Sequence, residues 1–125
     1  MSTYKAIKFD SLAPILDSAA AARKRFDNIE EKTANFTIEL DKENTLYLAN
    51  SDVTEIQVEL PLHATVAIPV NSVYTVGQKG TQFFEFVGEL GVTVRSGAKS
   101  WGQYTMLNVA KVAENEWWVI GGSNE

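Results

Sequence analysis

Residues 55–60 read Glu-Ile-Gln-Val-Glu-Leu, with Ile56, Val58 and Leu60 alternating against Glu55, Gln57 and Glu59. A period of two puts the three aliphatic side chains on one face of an extended segment and the three polar ones on the other. The same alternation precedes this stretch at Phe36, Ile38 and Leu40, set against Thr37 and Glu39. It resumes downstream through 65–68, 72–76, 82–87, 92–95, 104–112 and 116–120. Between these runs stand turn-forming clusters at 41–44, 50–52, 69–71, 77–80, 88–91, 97–102 and 114–115. Gly, Pro, Asn and Asp punctuate strands because they take up turn conformations at little cost. About eight short strands at this spacing predict an all-β domain, an antiparallel β-sandwich or a small barrel. The Gly77–Thr81 stretch reads as a hairpin turn, since the phosphate-loop spacing is absent. No internal repeat is visible.

Upstream the period changes. Leu12, Ile15, Ala19, Ala22, Phe26 and Ile29 are spaced three, four, three, four and three. That spacing predicts one short N-terminal α-helix with a single apolar seam, a candidate trimer seam. Asp10 or Ser11 caps its start, Pro14 falls in its first turn, and Arg23-Lys24-Arg25 sit where the helix dipole favours cations. A helix this short is marginal alone in water, so it is expected to dock on its own sheet, on symmetry mates or on a larger assembly. The organisation expected is an N-terminal arm and helix over 1–32, for attachment or trimerisation, and a β-sandwich domain over 33–125. Tyr4, Ile7 and Phe9 form a further short apolar run, an arm or an edge strand.

The chain has 125 residues, 11 basic and 16 acidic, for a formal charge of −5. One domain of this size can bury a core. Its acidic balance argues against nucleic acid as a partner, because phosphate recognition needs a basic field. The sequence contains no cysteine, which removes disulfides, thiolate metal sites and cysteine nucleophiles, and suits folding in a reducing cytoplasm. No apolar run approaches the ~20 residues that span a bilayer, and none resembles a signal peptide, so no membrane partner is expected.

Catalytic material is sparse. His63 is the only histidine, and it follows Pro61 in a strand connection where a solvated surface role is expected. Glu55, Glu59 and Glu85 lie within alternating runs, as solvent-facing carboxylates do, rather than as a facing acid–base pair. No GxSxG motif and no metal-ligand spacing occurs. No catalytic residue, metal or cofactor is therefore expected. The aromatic residues Trp101, Tyr104 and Trp118 remain as candidates for an interface or for stacking on a sugar ring. Trp117 and Trp118 are adjacent, so in a strand one enters the core and the other faces away from it.

Four segments carry a resemblance. They are Glu59-Leu60-Pro61 with Ala67-Ile68-Pro69; Gly80-Thr81-Gln82 opening the apolar run 83–87; Gly91-Val92-Thr93-Val94-Arg95-Ser96; and Gly102-Gln103-Tyr104 with 107–112, Glu116-Trp117 and Gly121-Gly122. In this order they resemble the β-domain of tailed-bacteriophage virion proteins, the tail-fibre, head-fibre and capsid-decoration type. The interval from Phe86 to Gly91 is shorter than that pattern, and residues 12–29 have no counterpart in it. The resemblance implies a non-enzymatic virion protein assembled in the host cytoplasm. It further implies a homotrimeric capsid decoration protein or head fibre, attached to the major capsid or other virion proteins through its N-terminal segment. The alternative is a tail-fibre module that recognises host surface glycan. A carbohydrate-binding or adhesion domain unrelated to phage fits the composition but not the motif order.

Overall fold

The computed structural model describes residues 26–123. They form nine strands: β1 (Asn28–Lys32), β2 (Phe36–Thr37), β3 (Thr45–Ala49), β4 (Ile56–Leu60), β5 (Val73–Gln78), β6 (Phe84–Gly88), β7 (Thr93–Arg95), β8 (Met106–Ala113) and β9 (Glu116–Ile120). Among the described residues there is no helix, and the fold is all-β.

The strands divide between a six-stranded sheet of order β1-β3-β5-β8-β9-β7 and a three-stranded sheet of order β2-β4-β6. From β1 to β6 the chain alternates between the two sheets, each strand lying parallel to the one two places before it. This part of the molecule is a flattened, three-turn parallel β-solenoid. β8 then pairs antiparallel with β5 and with β9, and β7 pairs parallel with β9.

Five of the seven pairings are thus parallel, which corrects the antiparallel sandwich expected from sequence. Alternation reveals that a segment has two faces, but it says nothing about its partner. The turn clusters before β6 are arcs from one sheet to the other, and Gly77-Gln78 belongs to β5 rather than to a hairpin turn. Among the described residues only Glu114-Asn115 joins two consecutive strands that pair, β8 and β9. Residues 65–68 form no strand; Thr65 and Val66 turn back onto the carbonyl of Leu62. β3, which the sequence reading passes over, supplies the wholly buried Tyr47.

A second correction concerns the seam. Ile29 lies in β1 opposite Leu46 and is 66% exposed, and Phe26 precedes the strand outside any helix. Ile29 continues the three–four spacing in sequence, but pairing with β3 places it in a strand. The β-domain therefore includes β1 and does not begin after Lys32. Leu12, Ile15, Ala19 and Ala22 lie outside the described residues.

The core lies between the sheets. Tyr74 and Trp117, from the large sheet, meet with ring centroids 6.1 Å apart, while Phe84 and Phe86 of the small sheet meet edge to face at 5.6 Å. At the β1–β2 end the core finishes on Phe36 and Tyr47, whose centroids are 5.0 Å apart. The Lys32 ammonium lies 5.5 Å and 5.9 Å from the two centroids and pairs with Glu30, which also pairs with Lys42. A charged layer therefore closes the apolar stack at that end, where β1 and β2 leave their outer edges without a strand partner among the described residues.

On the opposite side the sheets are stitched together. Phe86 donates to Ala98 and Ser100 donates to Phe84, each at 2.9 Å, while Lys99 and Ser123 exchange backbone bonds of 3.1 and 2.6 Å. Gly97 and Gly122 touch backbone to backbone beside this junction.

The two buried tyrosines make opposite predictions. Tyr74 donates its hydroxyl to the Glu39 carbonyl at 2.8 Å, whereas the Tyr47 hydroxyl is buried without a partner among the described residues. Tyr47→Phe is expected to raise stability by up to about 1 kcal/mol, and Tyr74→Phe to lower it by about 1 kcal/mol. Burial pushes the Tyr74 phenol up to about 12 and raises that of Tyr47 as well. Phenols that ionise later in the folded state stabilise it fully below their unfolded value near 10, and that stability is lost as pH rises toward about 12. Denaturation midpoints from pH 9 to 12 check this, and each Phe variant should flatten the alkaline decline.

Candidate functional interface

Strand pairing determines which side chains share the outer face of the large sheet. One row runs Ile29, Leu46, Thr75, Asn108 and Ile120. A second runs Glu31, Leu48, Gly77 and Met106. A third runs Val73, Ala110, Trp118 and Arg95. These positions alternate with the core positions of the same strands, so the face follows directly from the pleat.

A solvent-facing antiparallel or mixed sheet usually presents polar residues. This face instead leaves Ile29, Val73, Met106, Val112, Trp118 and Ile120 exposed, with Trp118 at 51% and Ile120 at 54%. Thr75 and Asn108 satisfy each other across β5 and β8 at 2.6 Å, so even the polar pair at its centre is internally bonded. Charges lie at the rim. Glu31 pairs with Lys79 and accepts from Asn50 on one edge; on the other, Glu116 accepts from Trp118 Nε1 and Arg95 Nε, each at 2.7 Å. Those donors hold the Glu116 carboxyl below the usual range, with Trp118 the larger contributor. An apolar centre with a charged rim is the anatomy of a protein interface.

The face carries a notch at Gly77. Leu48 and Met106 close in on Gly77 and, with Lys79, Tyr104 and Thr105, line a groove of about 340 Å3. A Cβ at Gly77 would lie 3.1 Å from Met106 Cγ and 3.2 Å from Leu48 Cδ2. Tyr104 sits at the mouth, 78% exposed, with a φ of 68°. A bulky residue in the left-handed region is strained; here the Tyr104 amide is held to the Gln78 carbonyl at 2.6 Å.

Of the three aromatic candidates, Trp118 lies within the apolar face and Tyr104 at its notch. Trp101 stands apart, 62% exposed, donating Nε1 to the Gly121 carbonyl at 2.6 Å. It borders a smaller pocket of about 150 Å3 with Phe83, Lys99, Ser100 and Ser123. No ring contact joins the three among the described residues, so they form no single stacking platform.

His63 is not a freely solvated surface residue. Its Nδ1 lies 2.8 Å from the Lys111 ammonium, its Nε2 3.9 Å from Glu114, and its amide donates to Asn115 Oδ1. Lys111 is almost wholly buried, donates to the Ile68 carbonyl at 2.7 Å and lies 5.7 Å from the centre of the Trp117 ring. Burial pushes its pKa down. The sequence signal was available: Lys111 falls in phase with the core positions Leu107 and Val109 of β8. Glu55 pairs with Lys99, and Glu59 accepts from Thr37. Among the described residues no group of three or more His, Asp or Glu side chains is placed to hold a metal ion.

Comparison with protein-family models, curated proteins and solved structures finds no match to this chain.

Proposed function

We infer that this chain is a non-enzymatic structural module that works by association, as a homotrimer and against other virion proteins, in a capsid decoration protein or head fibre. The observation that carries the associative reading is the set of exposed apolar side chains on the outer face of the large sheet, Trp118 and Ile120 among them. Exposed apolar surface of this kind marks interaction sites in folded proteins, and aromatic residues and methionine dominate their energetics. The virion assignment draws its support from the order of the four segments between Glu59 and Gly122. In this reading the residues before β1 serve attachment, and the β-domain projects outward.

Light scattering on the purified chain tests the assembly. The expected mass is three times the 13.8 kDa chain. The double variant Trp118→Glu with Ile120→Glu should reduce it to one chain mass without changing the far-UV circular dichroism. A wild-type monomer at tens of micromolar overturns the trimer, and an unaltered oligomer in the double variant removes this face from the interface.

A second reading is favoured by Trp101, whose exposed ring borders a pocket of mixed lining that it shares with Phe83, Lys99, Ser100 and Ser123. It is recognition of host surface glycan, in which the indole stacks on a sugar and Lys99, Ser100 and Ser123 supply polar contacts. Millimolar glycan binding abolished by Trp101→Ala, but retained in the Trp118 double variant, distinguishes it.

A further inference from the structure

Among the described lysines, Lys111 alone is buried. It keeps the inward phase of Leu107 and Val109 on β8, and the register shift between Lys111 and Ala113 follows it directly. Backbone and side chain alike join it to the arc between β4 and β5. Its amide donates to the Ser72 carbonyl at 2.9 Å, and its carbonyl accepts from the Asn71 amide at 2.8 Å. Its ammonium donates to the Ile68 carbonyl at 2.7 Å and meets His63 Nδ1 at 2.8 Å. No carboxylate among the described residues pairs with this ammonium.

We propose that the Lys111–His63 contact is an acid-sensitive latch. It holds the β4–β5 arc on the β8–β9 hairpin while the pair carries one positive charge, and releases the arc when the pair takes up a second. An ammonium has donors and no acceptor, so the Nδ1 that meets it must offer a lone pair. The imidazole proton then sits on Nε2, turned toward Glu114 at 3.9 Å. A doubly protonated imidazole is a donor at both nitrogens. Two donors and two like charges would then face each other across 2.8 Å, one of them enclosed by the core. Passing the existing proton from Lys111 to His63 keeps a bond between them but leaves the pair with one charge.

The other charged groups around the ring do not relieve this. Glu114, from the hairpin turn, is 72% exposed, so water screens its charge. Glu89, from the arc after β6, accepts from the Leu62 amide and the Thr65 hydroxyl. Asn115 engages the His63 amide rather than the ring. Burial already disfavours the Lys111 charge and pushes its pKa down. In an unfolded chain both side chains are charged below the ordinary imidazole value of about 6.5. The latched pair holds one proton fewer there, so opening takes a proton up. Stability present above that value therefore declines as pH falls below it. His63 is the only histidine, so the imidazole window belongs to this contact.

Urea denaturation of the full-length chain at pH 7.5 and pH 5.0 tests the latch. In the parent the unfolding constant should rise about tenfold at the lower pH, as uptake of one proton over about one pH unit requires. His63→Gln keeps a carbonyl acceptor for Lys111 at either pH, and its constant should change by less than about twofold. Lys111→Met removes the cation while keeping the length of the side chain, and it too should lose the acid dependence. Amide exchange reads the arc itself, through Thr65 and Val66, which donate to the Leu62 carbonyl. At pH 5.0 these amides should exchange about tenfold faster in the parent than in His63→Gln, and at pH 7.5 equally fast. Parallel acid losses in the parent and His63→Gln overturn the proposal. An undiminished acid loss in Lys111→Met does the same, because it places the sensitive group elsewhere.

Discussion

Gly122→Ala is expected to lower stability by about 3 kcal/mol or more, a large effect for one methyl group. A Cβ at Gly122 would stand 1.8 Å from the Gly97 carbonyl oxygen and 2.7 Å from its carbon, and one at Gly97 would stand 2.5 Å from the Gly122 oxygen. Both obstacles are backbone, which cannot rotate away as a side-chain tip does. Relief requires the 97–100 segment to move off residues 122–123, breaking the Lys99–Ser123 bonds that stitch the sheets together. Gly102 is the control, because nothing lies within 4 Å of a Cβ built there. Gly102→Ala should stay within about 0.5 kcal/mol of the parent. Chemical denaturation of the two variants decides it; equal midpoints would mean that the Gly97–Gly122 contact does not hold the sheets together.

Trp117→Ala should cost about 3–5 kcal/mol, the usual range for truncating a fully buried tryptophan. The ring is wholly buried, packs against Tyr74 and shields the Lys111 ammonium. Removing it leaves both a cavity and a buried cation with less around it. Trp117→Phe should cost much less than the lost volume suggests, because the indole Nε1 has no hydrogen-bond partner among the described residues. Trp118→Ala, one residue along the same strand, should change monomer stability by less than about 1 kcal/mol and act instead on association. Melting temperature together with solution mass separates the two residues. A comparable loss of stability at both would contradict the assignment of one to the core and the other to the surface.

The opposed orientations of Trp117 and Trp118 were readable in the sequence because a strand's side chains alternate by stereochemistry alone. The strand content was readable for the same reason, from runs such as Ile56–Leu60 and Phe84–Val87. The pairing was not. The alternation of β3 and β4 would look the same in a meander as in a solenoid, and the arcs between strands vary in length, so no repeat shows. Ile29 illustrates the limit most sharply: it continues the helical spacing of Leu12 to Phe26, the Asn28–Lys32 stretch shows no apolar alternation, and only pairing with β3 makes it a strand. The interface was half legible: Trp118 stood out by type, but Leu46, Leu48 and Ile120 joined it only through strand register. Lys111 shares the inward phase of Leu107 and Val109, but its charge hides that phase from a reading based on apolar pattern.

The solenoid arrangement also governs how quickly the chain can find its structure. Asn28 must meet Thr45, Leu46 must meet Thr75 and Ile56 must meet Phe84, so nearly every ladder closes a loop on the order of twenty to thirty residues before it gains a bond. The β8–β9 hairpin is the one ladder between consecutive strands, and it alone can form on the microsecond scale of a local turn. It presents Leu107, Val109, Trp117 and Val119 on a single face, a ready template on which β5, and then β3 and β1, can be laid in reverse order of synthesis. On contact order alone, such a chain is expected to fold backward from its hairpin, since β1 has β3 as its strand partner among the described residues.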